Sequence, residues 1–188
     1  KAGEVMLRSG HLDEGMRILH ELLSSVHITL PKPGWRTLAS LLWRRFRLRL
    51  RGLSFSQRDE WEISGRELAR VDLYNSLSTA SSSIILATSL STRWAHEALN
   101  LGEPKRILHA LCIEANYHAA SGRFRSKYQQ KLFAVINRII DRYDNPILRA
   151  YISAARAYGN YMIGNFAKAP RLGRDAVDGI LQAGGPVL

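Results

Sequence analysis

Cysteine is nearly missing from this 188-residue chain, which has only Cys112. One thiol excludes an intramolecular disulfide framework and a zinc site made of cysteines alone, so a reducing compartment, the cytoplasm, is the expected location. Long apolar runs are missing too. The longest candidate, Ile84 to Leu90, is interrupted by Thr88 and Ser89 and falls well short of the roughly 18 to 20 residues of a membrane span. Runs of β-branched residues bounded by two-residue turns are scarce, which argues against sheets. No phosphate-cradling glycine loop, zinc-protease helix, nucleophile elbow or kinase catalytic loop occurs. No catalytic residue, cofactor or metal ligand is therefore assigned, and the chain is expected to be non-catalytic. It starts at Lys1 with no signal-peptide pattern, which reads as a piece of something larger.

Hydrophobic residues make up 46% and charged residues 23%, the balance of an ordinary globular domain with a core. The net charge of +11 is unevenly placed. Between Leu22 and Arg58 there is no acidic residue, yet Lys32, Arg36, Arg44, Arg45, Arg47, Arg49, Arg51 and Arg58 all fall there. Asp59, Glu60, Glu62, Glu67 and Asp72 follow at once. A second acid-free stretch, Ala115 to Ile140, carries Arg123, Arg125, Lys127, Lys131 and Arg138. Clustered cations suit polyanions, but neighbouring carboxylates also neutralise them within one molecule.

Hydrophobic spacing is helical throughout. Leu12, Met16, Leu19, Leu22 and Leu23 share one face of a first helix that Gly10 precedes as a turn. Pro31 and Pro33 separate it from a helix over about 35–50. Ser64 with Glu67 fits a capping box opening a helix near Gly65 that fades at Ser81 to Ser83. Further helices are expected over 84–101, stopped by Gly102, then 103–121, 123–143 and 146–163, the last opened by Asn145 and Pro146. If Asn165 caps the final helix, Pro170 sits past its first turn and should kink it; otherwise the regular part begins at about Pro170, before Gly184-Gly185-Pro186.

Three glycine corners, Gly10, Gly122 and Gly164, align as a repeat. Seven residues before them stand Gly3, Ala115 and Ala157, and two residues after stand Leu12, Phe124 and Phe166, each able to plug the groove of a preceding helix. Five and twelve after stand Gly15 with Leu22, Lys127 with Ala134, and Ala169 with Ala176, Lys127 breaking the pattern. This succession of small residue, glycine, aromatic and alanine resembles the tetratricopeptide-like helical repeats. Ser9-Gly10-His-Leu-Asp-Glu-Gly15, Leu30-Pro-Lys-Pro and the Leu41–Gly52 run are together similar to the helical region of large bacterial signalling proteins. In those proteins a serine/threonine kinase domain and a nucleotide-binding ATPase domain precede the array. The resemblance implies one helical-repeat domain over 1–188, an all-α right-handed stack of antiparallel hairpins, and transfers no catalytic residue.

Three groups are candidates for function. Arg45 to Arg51 alternates as a strand would, but Trp35, Leu38, Leu42, Phe46 and Leu50 form one helical stripe with Arg36, Arg44, Arg47 and Arg51 opposite. Those four arginines are candidate contacts for a partner. Arg45 and Arg49 flank the stripe, and Glu60, Glu62 or Glu67 are their expected internal partners. His109, Cys112, Glu114 and His118 are zinc-ligand types whose helical angles diverge, so a buried thiol with ordinary histidines is expected. Tyr117, Tyr128, Tyr143, Tyr151, Tyr158 and Tyr161 are interleaved with Arg149 and Arg156; most should be interlayer contacts, with Tyr151 and Tyr158 as candidate partner-binding residues. The expected function is a scaffold that holds a protein, a peptide or another domain of its parent chain. The alternative is a basic helical module for nucleic acid.

Overall fold

Polar caps and left-handed glycines set where the helices begin and end. A computed structural model describes residues 35–81, 84–143 and 145–183, the side chains of Arg36, Thr37 and Ala80 excepted. The first expected helix with its Gly10 corner, and the closing Gly184-Gly185-Pro186, lie outside the described residues. Among those described are seven α-helices and no strand: α1 (Trp35–Arg51), α2 (Gly65–Ala80), α3 (Ile84–Leu101), α4 (Pro104–Ala120), α5 (Lys127–Arg142), α6 (Pro146–Met162) and α7 (Ala169–Gln182). A 3-10 turn, Glu60–Glu62, interrupts the loop after α1. The described fold is all-α, as expected, and the alternating Arg45–Arg51 segment is helical.

The expected capping box opens α2: Ser64 Oγ accepts from the Glu67 N–H at 3.3 Å, and the Glu67 carboxylate accepts from the Ser64 N–H. Gly102, at φ +87°, ends α3. Glu103 then caps α4, its carboxylate accepting from the Lys105 and Arg106 N–H groups at 3.0 and 2.8 Å. Asn145 does the same for α6 through the Ile147 and Leu148 N–H groups, and a proline follows each cap where no N–H is needed. The helix expected from Arg123 starts later, at Lys127, because Gly122 at φ +74° opens a turn that closes on Ser126 as N-cap. Pro170 lies in the first turn of α7, which begins at Ala169.

The described residues form two compact units interleaved along the sequence, one within 35–50 and 64–94, the other within 51–63 and 95–183. In the first unit Leu41 and Leu48 of α1, Val71, Tyr74 and Leu77 of α2, and Ala87, Leu90 and Trp94 of α3 are buried. Leu41 and Leu48 stand seven residues apart on one side of α1. Arg44 and Arg45 stand between them on that face, both half-buried, with their stems laid on apolar surface.

In the second unit α4 touches both α5 and α6, and α6 packs along α7. Its core is made by Ala98 and Leu99 of α3, Ile107, Leu108, Leu111 and Ala115 of α4, Leu132 and Ile136 of α5, and Leu148, Ile152 and Ala155 of α6. Small residues bring α6 and α7 close: a Cβ on Gly179 would lie 3.2 Å from Ala150 Cβ. Residues 52–63 run as a strap tied by polar contacts. The Arg58 N–H donates to the Gly102 carbonyl at 3.0 Å, Arg106 pairs with Glu60 at 3.1 Å, and Arg142 donates to Gln57 Oε1 at 2.7 Å.

The pair α6–α7 repeats the pair α4–α5. Helix α6 begins and ends 42 residues after α4, with the cap, the following proline and the glycine corner in the same places. The second helices repeat less faithfully. Gln129, Leu132, Ile136 and Ile139 face inward on α5, whereas α7 buries Ala169 and Ala176 and half-buries Leu172 and Gly179, each 40 residues on. A two-residue slip turns a helix by about 200°. The aligned alanines therefore differ, Ala134 being exposed and Ala176 buried.

Candidate functional site

Among the described residues of the first unit, helix α1 carries the broadest exposed apolar surface. Leu48 is 1% exposed, but Trp35 is 76% and Leu42 61%, and Leu38, Trp43 and Phe46 are at least half-exposed or nearly so. The stripe identified from spacing therefore lies outside, and the packed face is the line of Leu41 and Leu48. Trp43 joins the stripe through Phe46, with ring centroids 5.8 Å apart. Spacing alone left Trp43 off the stripe because it sits at its margin; its place three residues before Phe46 is the signal that could have included it. From Trp35 to Leu50 the surface runs about 22 Å along the helix. Single exposed apolar residues are ordinary, but a continuous aromatic-rich line of this length is a candidate contact surface.

The four candidate arginines have different surroundings. The Arg36 side chain lies outside the described residues. Arg47 is exposed. Arg44 is half-buried and donates from Nε to Ser40 Oγ at 3.1 Å; burial, then the nearby Arg93 guanidinium, lower its pKa from the usual arginine range. Arg51 belongs to the second unit, where it donates to Asn100 Oδ1 at 3.0 Å and to the Gly52 and Ser54 carbonyls, and burial lowers its pKa. It secures the start of the strap. Glu60, one expected partner of Arg45 and Arg49, pairs with Arg106. Glu62 accepts from the Asp59 N–H at 2.9 Å, and Glu67 serves the α2 cap.

Tyr151 and Tyr158 lie two turns apart on α6. Tyr151 is half-buried, its ring stacked on His109 with centroids 4.1 Å apart, and burial, then Cys112, push its phenol pKa up. Tyr158 is exposed. Arg156 donates to Asn137 Oδ1 at 2.9 Å and lies over the Phe133 ring, so it links α6 to α5. Cys112 is buried, and loss of solvation pushes its thiol up to about 12. His118 is buried against Ser126 Oγ at 2.8 Å. Among the described residues no three His, Cys, Asp or Glu side chains are grouped to hold a metal ion, and no helix is long and apolar enough to cross a membrane.

One further exposed aromatic, Trp61, was not singled out from sequence. Trp61, in the 3-10 turn, is 81% exposed between Glu60 and Glu62. Phe166, expected from its column in the repeat to plug the groove of a preceding helix, is instead 63% exposed and meets Tyr161 edge-on, with centroids 5.6 Å apart. Comparison with known proteins adds no assignment: no family model, no curated protein and no solved structure matches the chain.

Proposed function

We propose that this chain is a non-catalytic protein-interaction region, a tetratricopeptide-like stack of helical hairpins, in which the outer face of α1 holds a protein or peptide segment or another domain of the parent chain. The observation that carries this reading is the open line of Trp35, Leu38, Leu42, Trp43, Phe46 and Leu50 with Arg47 beside it. Such a line suits the apolar face of an amphipathic helix, and Arg47 favours acidic residues on its flank. The repeat of α4–α5 by α6–α7 supports the hairpin-stack reading. The similarity to the helical region of bacterial kinase and ATPase signalling proteins supplies the context, the parent's other domains being natural occupants.

The alternative partner, nucleic acid, is less well supported, because Arg44 and Arg51 are half-buried and engaged by Ser40 and by Asn100 with two carbonyls. Photo-crosslinking residues at positions 42 and 46, with exposed position 66 as control, test the proposal in cells that make the full parent protein. Polypeptide adducts confined to 42 and 46, and binding of the crosslinked polypeptide that weakens only mildly with salt, are expected. Nucleic-acid adducts with steep salt dependence, or adducts equal to the control, would refute it.

A further inference from the structure

A second exposed apolar surface lies at the α6–α7 corner, and the internal repeat bears on what could fit it. Phe124, two residues after the Gly122 corner, lies on Gly159 of α6 so closely that any Cβ at position 159 would overlap its ring. The aromatic that follows the first corner is thus covered by the next helix, at a residue with no side chain. It packs edge-on against Phe133 as well, with centroids 6.3 Å apart.

Phe166 stands 42 residues later, two residues after the Gly164 corner, and has an aromatic neighbour of its own in Tyr161. It is open where Phe124 is covered. Tyr158, Tyr161 and Met162, on the last turns of α6, are exposed with it. Residues 145–174 contain no acidic residue, and Lys168, Arg171 and Arg174 are exposed just beyond Phe166, with Asp175 and Asp178 exposed after them, so that three cations face two carboxylates along α7. The surface therefore continues, in the next layer, the interface that α6 makes with the α4–α5 corner, with an added cationic margin.

We infer that the Phe166 corner binds an acidic amphipathic helix that presents a glycine where it crosses the ring. The small residue follows from the Phe124–Gly159 contact, which leaves no room for a larger one. The acidic flank follows from the three cations. This inference concerns a different surface from α1 and stands whether or not α1 binds a partner.

The test uses the full chain and a fluorescein-labelled helical peptide with the α6 sequence Pro146–Met162, in which Arg149 and Ala154 are replaced by glutamate and Gly159 is kept. Anisotropy titration should show saturable binding. A Gly159→Leu peptide, or the Phe166→Ala protein, should bind at least tenfold more weakly, and Arg171→Glu with Arg174→Glu should weaken binding more at low salt than at high salt. Phe166 is exposed, so circular dichroism and the melting temperature of Phe166→Ala should match the parent; Tyr161→Ser gives an independent probe of the corner. No binding, equal binding of both peptides, or binding indifferent to Phe166 would overturn the inference. Concentration-dependent sedimentation abolished by Phe166→Ala, without peptide binding, would assign the corner to a second copy and also overturn it.

Discussion

The Phe124 ring takes the space that a side chain at Gly159 would need. The second hairpin of the repeat thereby fits against the first at a position where its helix carries no side chain. Alanine ordinarily favours a helix interior by about 1 kcal/mol over glycine. Here Gly159→Ala should instead destabilise the protein by about 1–3 kcal/mol, the usual cost of overpacking. Phe124→Ala should suppress that penalty, and a double-mutant cycle on denaturant midpoints would measure the coupling.

Two left-handed corners should respond unequally to alanine. At Gly122, φ is +74° and nothing lies within 4 Å of an added Cβ, so Gly122→Ala should cost about 1–2 kcal/mol from backbone strain. At Gly102, φ is +87° and the Cβ would overlap the Ser56 carbonyl oxygen. Gly102→Ala should cost clearly more than Gly122→Ala in urea unfolding and should expose the strap to limited proteolysis.

On α1, Leu48→Ala should destabilise by about 2–5 kcal/mol, as a buried leucine truncation does. Leu42→Ser should change stability by less than about 0.5 kcal/mol while weakening partner capture. Equal losses of stability at the two positions would mean that the outer stripe is packed in solution.

Most helix limits were legible in the sequence because local chemistry determines them. Ser64 with Glu67, Asn145 with Pro146, and Gly102 are short-range signals, and the structure uses each one. The direction in which α1 faces was not legible. Its outer stripe is more apolar than the line of Leu41 and Leu48, and spacing reports amphipathicity without saying which neighbour is present. The two-residue slip of α7 was hidden for a related reason. Gly122 and Gly164 align, but the inward register depends on tertiary packing of Ala169 and Ala176 against α6. Of the candidate contacts, Arg47 and Tyr158 are exposed, whereas Arg44, Arg51 and Tyr151 are engaged internally. Side-chain length allows arginine and tyrosine either role.

Cys112 gives a test of core closure. Its buried thiol keeps its proton up to about pH 12, against an ordinary value of 9.0. The native state therefore holds a proton that the unfolded chain releases, so this group's contribution to stability is intact below pH 9 and declines as pH rises from 9 toward 12. In native protein at pH 8, an aromatic disulfide reagent should react on the order of 100-fold more slowly than in denaturant. Cys112→Ser should flatten the alkaline decline in melting temperature.

Glu103 is buried at the start of α4 and satisfies two backbone N–H groups. Glu103→Ala should cost about 1–3 kcal/mol by leaving both without an acceptor. Glu103→Asp should recover part of that loss, measurable as a shift of the thermal midpoint.

The corners at Gly122 and Gly164 face empty space, while the one at Gly102 is roofed by its own chain. Extra residues or a fused tag at either open corner would lengthen a turn at small entropic cost. At the roofed corner the same insertion would have to dislodge residues 56–58 first. Evolution and protein engineering thus have room to enlarge this molecule at the ends of its paired helices and little where the strap crosses.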